Sequence, residues 1–177
     1  MRKRITALLL ALVLVFAVFP TSASAAGLDN FQKVHTYANQ FEDVPSGQWY
    51  AKNVQAAYEY GLVVGMSDTQ FAPGNSITIA QSITIAARLH SIYHTGIDSF
   101  TPTGSKWYSV YVDYALDNQI ISGPYSDYNA KATRIQFADI LSKALPSSAL
   151  PAINTVDAGA IPDLPSDNSS AAVYTLY

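Results

Sequence analysis

The sequence predicts a mainly α fold assembled from tandem helix-loop-helix units, and three observations predict it. Val54, Ala57 and Tyr58 form an apolar stripe at helical spacing. The stripe returns 58 residues later as Val112, Ala115 and Leu116, and Ile120, Ile121 and Gly123 repeat Leu62, Val63 and Gly65 at the same offset. Thr78 with Gln81 and Thr133 with Gln136 each spell T-x-x-Q. In such a capping box the threonine hydroxyl accepts from an orphan N–H and the glutamine reaches back to the N-cap amide. A copied unit buries its core against its neighbours, so the recurrence governs the reading of every other segment.

The N-terminus reads as a leader. Arg2, Lys3 and Arg4 precede an almost unbroken apolar run over residues 5–19, and Ala23-Ser24-Ala25 supplies a small-x-small cleavage site. The run is about 15 residues, short of the roughly 20 that span a bilayer. The expectation is a signal peptide over 1–25, export, and no membrane contact after cleavage. Cleavage removes three of the ten Lys and Arg against 13 Asp and Glu, moving the net charge from −3 to −6. An acidic exported chain lacks the basic face that nucleic-acid binding needs. Without cysteine there is no disulfide, so stability falls to packing, to which 12 Tyr, 7 Phe and 2 Trp contribute.

After a lead-in (26–40), the first unit spans 41–93. It opens with Phe41, Asp43, Val44, Pro45 and Trp49 and continues in a helix across residues 50–60. Gly61 is placed as the left-handed residue that ends that helix. A short extended segment (62–64) and a turn-rich loop (66–76) lead to the Thr78 cap, whose helix is expected to reach His90 or Tyr93. A linker (94–106) holds Pro102 and Gly104. The second unit (107–146) opens with Trp107, and its loop is three residues shorter. Its capped helix carries Ile135, Ala138, Ile140, Leu141 and Ala144, the counterparts of Ala80, Ile83, Ile85, Ala86 and Leu89. Beyond a linker (147–162), residues 163–177 echo an opening: Asp163, Leu164, Pro165, then Val173, Leu176 and Tyr177. They are read as the start of a truncated third unit, with apolar surface left to cover.

These motifs resemble the S-layer homology family, whose units run F-x-D-V and Trp, a G-I-I-x-G-like turn, a D-G-x-F-x-P loop and T-R-A-E. Phe41, Asp43, Val44, Trp49, Gly61, Gly65, Asp68, Phe71, Pro73 and Thr78 match in the first unit. Trp107, Ile120, Ile121, Gly123, Asp127, Thr133 and Arg134 match in the second. The chain departs from the pattern at Ile79, which stands where the motif has Arg, at Gln81 and Gln136, which replace Glu, and at Thr69 after Asp68. The second unit lacks the D-V-P opening and Phe-x-Pro. The resemblance implies a pseudo-threefold helical domain that binds secondary cell-wall polysaccharide, often pyruvylated, on the outside of a bacterial cell.

The candidate binding residues are Arg134, Thr133, Trp107, Trp49, Asp127, Asp68, Gly123 and Gly65. Arg134 sits at the first helical position, where the macrodipole disfavours a cation by roughly 0.3–1 kcal/mol. A bound anion, such as the carboxylate of a ketal pyruvate, would make sense of it by drawing amides and guanidinium together. The alternative is a solvated Arg paired with a nearby Asp. Trp49 and Trp107 are candidates to stack on sugar faces, or else pack at helix starts. Asp68 and Asp127 either accept from sugar hydroxyls or form turns, and Gly65 and Gly123 serve backbone conformation or ligand approach. His90 and His94 share a helical face but have no obvious third ligand, so neither metal nor cofactor is expected. There is no Cys nucleophile, G-x-S-x-G or phosphate loop, and the chain is read as non-catalytic. The readings are polysaccharide anchoring, a self-assembling or protein-binding surface module completed by another chain, and, last, a wall hydrolase built on paired Asp residues.

Overall fold

The computed structural model describes residues 27–151, 154–157, 160–161, 164 and 171–176. The expected leader, and Asp163, Pro165 and Tyr177 of the third opening, lie outside the described residues. Helices dominate: α1 Ala51–Glu59, α2 Ile79–Thr95, α3 Ser109–Asp117, α4 Arg134–Ser142 and α5 Ala171–Leu176, with 3-10 turns at Leu28–Asn30 and Ser147–Ala149. Among the described residues the only strand-like pairing is an isolated antiparallel bridge between Thr78 and Lys131. The mainly α expectation holds.

α1 and α3 are the same helix written twice. Each has nine residues, starts after a tyrosine without a side-chain cap, and sits 58 residues from its copy. Their exits coincide as well. The Leu62 amide donates to the Ala57 carbonyl at 2.8 Å and the Ile120 amide to the Ala115 carbonyl at 2.9 Å. Gly61 takes φ +72°, as its position predicts, and Gln119 takes φ +58° at the equivalent place. A helix that ends in this geometry needs a left-handed residue whatever the sequence supplies.

Both capping boxes form: each threonine hydroxyl accepts from the glutamine amide, and each glutamine side chain accepts from the threonine amide. α2 runs past its expected end to Thr95 and stops at Gly96, whose φ of +78° lets its N–H reach the Ile92 carbonyl at 2.8 Å. His94 and Thr95 thus form the last residues of the helix. No helix breaker precedes that glycine.

α2 is the spine, packing on both α3 and α4. Ile79, Ile83, Ala86 and Ala87 from α2 meet Tyr111, Val112 and Ala115 from α3, with Ile120, Ile121, Ile140 and Ala144 closing the core. Each buried isoleucine contributes about 1.5–3 kcal/mol, and the alanines let helix backbones approach. A separate cluster joins Phe41, Val44, Ala51 and Val54 to Tyr37, Tyr58 and Phe71 under α1. There Phe41 meets Tyr58 edge-on at 5.5 Å. α5 packs on α4, so the first helix of a following segment rests on the capped helix before it, as α3 rests on α2.

The loop of the second unit covers the N-terminus of α2. The Ile79 amide donates to the Ala130 carbonyl at 3.0 Å and the Ala80 amide to the Tyr128 carbonyl at 2.9 Å, while the Ala132 amide returns to the Ile77 carbonyl at 2.9 Å. Two orphan amides of the helix start are thereby satisfied by another unit.

Candidate functional site

Two hollows collect four of the eight candidate residues, Thr133 and Arg134 in one and Gly65 and Trp107 in the other. The first, about 420 Å³, opens at the N-terminus of α4 and is lined by Thr133, Arg134, Ile135, Phe137 and Ala138, with Ile161, Leu164, Val173 and Leu176 opposite. Thr133 is held by its box, accepting from the Gln136 amide at 3.2 Å and donating its own amide to the Gln136 side chain at 2.9 Å. Arg134 is exposed at the helix start and is the one ionisable group among the described lining residues. The equivalent residue of the first unit, Ile79, is only 2% exposed because the 128–132 loop lies over it. The missing charge of the first unit is a core residue.

The second hollow, about 600 Å³, is a groove where the first unit meets the second. One wall is the 62–77 turn and loop, the floor is Gln81, Thr84, Ile85 and Arg88 of α2, and the other wall carries Pro102, Trp107 and Tyr111. Trp107 is 43% exposed and meets Tyr108 at 5.7 Å and Tyr111 at 6.4 Å. Its ring is thus half presented to the groove and half braced by tyrosines. Gly65 lines the same groove at φ +84°, where a Cβ would stand 2.6 Å from the Phe41 ring. Its glycine identity is required by the backbone and by that close approach.

The other candidates line neither hollow. Trp49 is 85% exposed, touching Tyr50 edge-on at 5.6 Å. Asp127 accepts from the Asn129 amide at 2.8 Å, the local bond of an Asx turn, and Asp68 is exposed in its loop. Gly123 has open space around it and lacks the left-handed φ of Gly65. The His90 and His94 rings lie 4.3 Å apart, tilted by 39°, and His90 Nδ1 lies 2.8 Å from the Tyr114 hydroxyl. Among the described residues no group of three His, Cys, Asp or Glu could hold a metal.

Two residues that shape the groove escaped the sequence reading of the site. Asp43 clamps the loop: its Oδ1 accepts from the Phe71 amide at 2.8 Å and its Oδ2 from the Ala72 amide at 2.6 Å. The Phe71 amide foremost, with Ala72 adding to it against partial burial, holds the Asp43 carboxyl below its ordinary range. Arg88 is the second. It is the single Arg or Lys within α2, and that isolation was its signal. Its guanidinium donates to the Leu62 carbonyl and the Tyr111 hydroxyl and sits beside Asp98.

Residues 40–81 match the model of the S-layer homology domain, so the resemblance carried by the motifs stands. The S-layer protein of Bacillus thuringiensis subsp. finitimus is 27% identical over 134 residues, covering 73% of this chain and 16% of that protein. The exoglucanase XynX of Acetivibrio thermocellus is 32% identical over 127 residues, covering 66% of this chain and 12% of its own length. The middle cell wall protein of Brevibacillus brevis is 34% identical over 64 residues, 36% of this chain and 6% of that one. The chain thus spans 16% or less of the length of these relatives. No solved structure matches it. The extracellular, wall-associated location expected from the sequence agrees with the matched family and with relatives that are S-layer and cell-wall proteins.

Proposed function

We propose that the protein is a non-catalytic cell-surface anchoring module, exported by a leader over 1–25, whose units at 41–93 and 107–146 bind secondary cell-wall polysaccharide. The observation that carries this reading is the 600 Å³ groove between the two units, with the half-exposed Trp107 on its wall. Such a groove buries a sugar face on an aromatic ring while leaving hydroxyls toward Gln81, Thr84 and solvent. Arg134 and Thr133 add the anionic preference: a guanidinium beside the α4 start suits a ketal-pyruvate carboxylate. On this reading the units sit about a pseudo-threefold axis, and Trp49, Asp68, Asp127 and Gly123 contribute less than Trp107 and Arg134.

The test is sedimentation of the mature protein with purified wall polysaccharide before and after removal of pyruvate. W107A is expected to weaken binding to both preparations by roughly tenfold, the loss of one aromatic contact. R134A should erase the preference for the pyruvylated form. Equal binding of the wild type to both preparations would sink the carboxylate assignment, and no binding to either would sink the anchoring reading.

A second reading is self-association, favoured by the apolar hollow at α4, where Leu176 of α5 is 42% exposed beside Val173. A light-scattering mass that stays monomeric across a wide concentration range would count against it.

A further inference from the structure

We propose that Arg88 is a positioning residue that sets the width of the inter-unit groove by tying both of its walls to α2; this rests on the groove being the polysaccharide site. Three separate guanidinium nitrogens reach three separate segments. Nη1 donates to the Leu62 carbonyl at 3.2 Å, in the turn that begins one wall. Nη2 donates to the Tyr111 hydroxyl at 3.1 Å, on the helix that forms the other wall. Nε lies 3.0 Å from Asp98 Oδ2 in the linker, an ion pair without hydrogen-bond alignment. The guanidinium carbon also stands 5.4 Å from the centre of the Tyr111 ring. The linker held by Asp98 then runs through Pro102 to Trp107, both of which line the groove.

A planar fork with fixed donor directions can hold three segments at once, which the single ammonium of lysine cannot. The side chain is only 14% exposed, so little of it faces a ligand. Its two Nη atoms already donate to protein acceptors and its Nε faces Asp98, so Arg88 acts on a bound sugar through the placement of Trp107 and the 62–77 wall. Asp43 braces the same wall from its far end by holding the Phe71 and Ala72 amides. Groove geometry is therefore set by two side chains that need not touch the ligand.

The experiment uses W49F as the reference protein, so that Trp107 is the sole tryptophan. Trp107 emission and acrylamide quenching are measured without ligand, alongside helix content by circular dichroism. In W49F/R88K the expected result is unchanged helix content, a red shift of Trp107 emission and a steeper quenching slope. Affinity for wall polysaccharide should fall by up to about tenfold, the loss expected when the Trp107 contact itself is displaced. W49F/D98N, which removes only the linker end of the fork, should move both readouts the same way by less, and it carries the test if R88K loses helix. An affinity loss with Trp107 unchanged in the free protein would make Arg88 a direct ligand contact and overturn the proposal. Unchanged Trp107 emission and unchanged affinity would overturn it too. Wild-type binding is measured alongside: if the wild type binds no polysaccharide, the anchoring reading fails, while the ligand-free Trp107 signal still decides whether Arg88 sets the groove.

Discussion

The first and second units share a nine-residue helix and its exit turn, and differ in the length of the capped helix and in what their matching side chains do. α1 and α3 have the same length and the same exit hydrogen bonds. Yet α3 lies in the main core, while α1 rests on its own aromatic cluster. At the turn after each helix the first unit places Gly61 and Gly65 in left-handed conformations, and the second places Gln119 and an ordinary Gly123. Ile79 is buried beneath a neighbouring loop where Arg134 is exposed. A repeat conserves geometry first, and each copy's neighbours decide which residue types that geometry tolerates.

The largest effect expected from this contrast is at the paired glycines. Gly65→Ala imposes a left-handed cost and drives a Cβ to 2.6 Å from the Phe41 ring and 3.1 Å from the Gln70 carbonyl. A loss of about 2–4 kcal/mol is expected. Gly123→Ala meets nothing within 4 Å and has no such backbone demand, so it should fall within about 0.5 kcal/mol of neutrality or stabilise slightly. Urea midpoints at unchanged m-value would measure both. Equal losses at the two sites would mean that the turns are more alike than their φ angles.

The next effect runs the other way. Gln119 carries a side chain at φ +58° where the first unit has Gly61. Gln119→Gly should therefore stabilise by about 0.5–1 kcal/mol, the relief of left-handed strain less the entropy glycine adds to the unfolded chain. The same denaturation series reads it, and a destabilised Gln119→Gly would mean that the Gln side chain holds a contact worth more than the strain.

What could be read in the sequence was local. The capping boxes, the apolar stripes and Gly61 each depend on residues within one or two turns, and all three took the expected form. The groove was not legible in full, because its walls and floor come from residues 62–77, α2 and the second unit, and no local pattern records that they meet. Trp107 and Gly65 pointed toward it through their place in the motif. Asp43 read as part of an opening turn, but its partners, Phe71 and Ala72, are 28 and 29 residues away. Gln119 was invisible for a different reason: glutamine does not mark a left-handed position, so only the copy with glycine announced the turn.

The smallest effect separates the units by protons. His90 is half-buried in α2, with Tyr114 from α3 at its Nδ1 and His94 from its own helix against its ring. Burial first, and then the neighbouring His94, pushes the His90 pKa below its ordinary value. A base with a lowered folded pKa binds fewer protons folded than unfolded, so stability falls as pH drops below about 6.5 and stops falling beneath the folded value. The second unit has Leu145 at the matching sequence offset, just past the end of α4, and no histidine to respond. His90→Leu, the first unit rewritten as the second, should shrink the drop in melting temperature between about pH 7.5 and pH 5.5 while leaving the carboxylate-driven loss at lower pH in place. If the wild type and His90→Leu lose the same number of degrees over that interval, then the α2–α3 contact is indifferent to protonation of His90, and the units differ in packing alone.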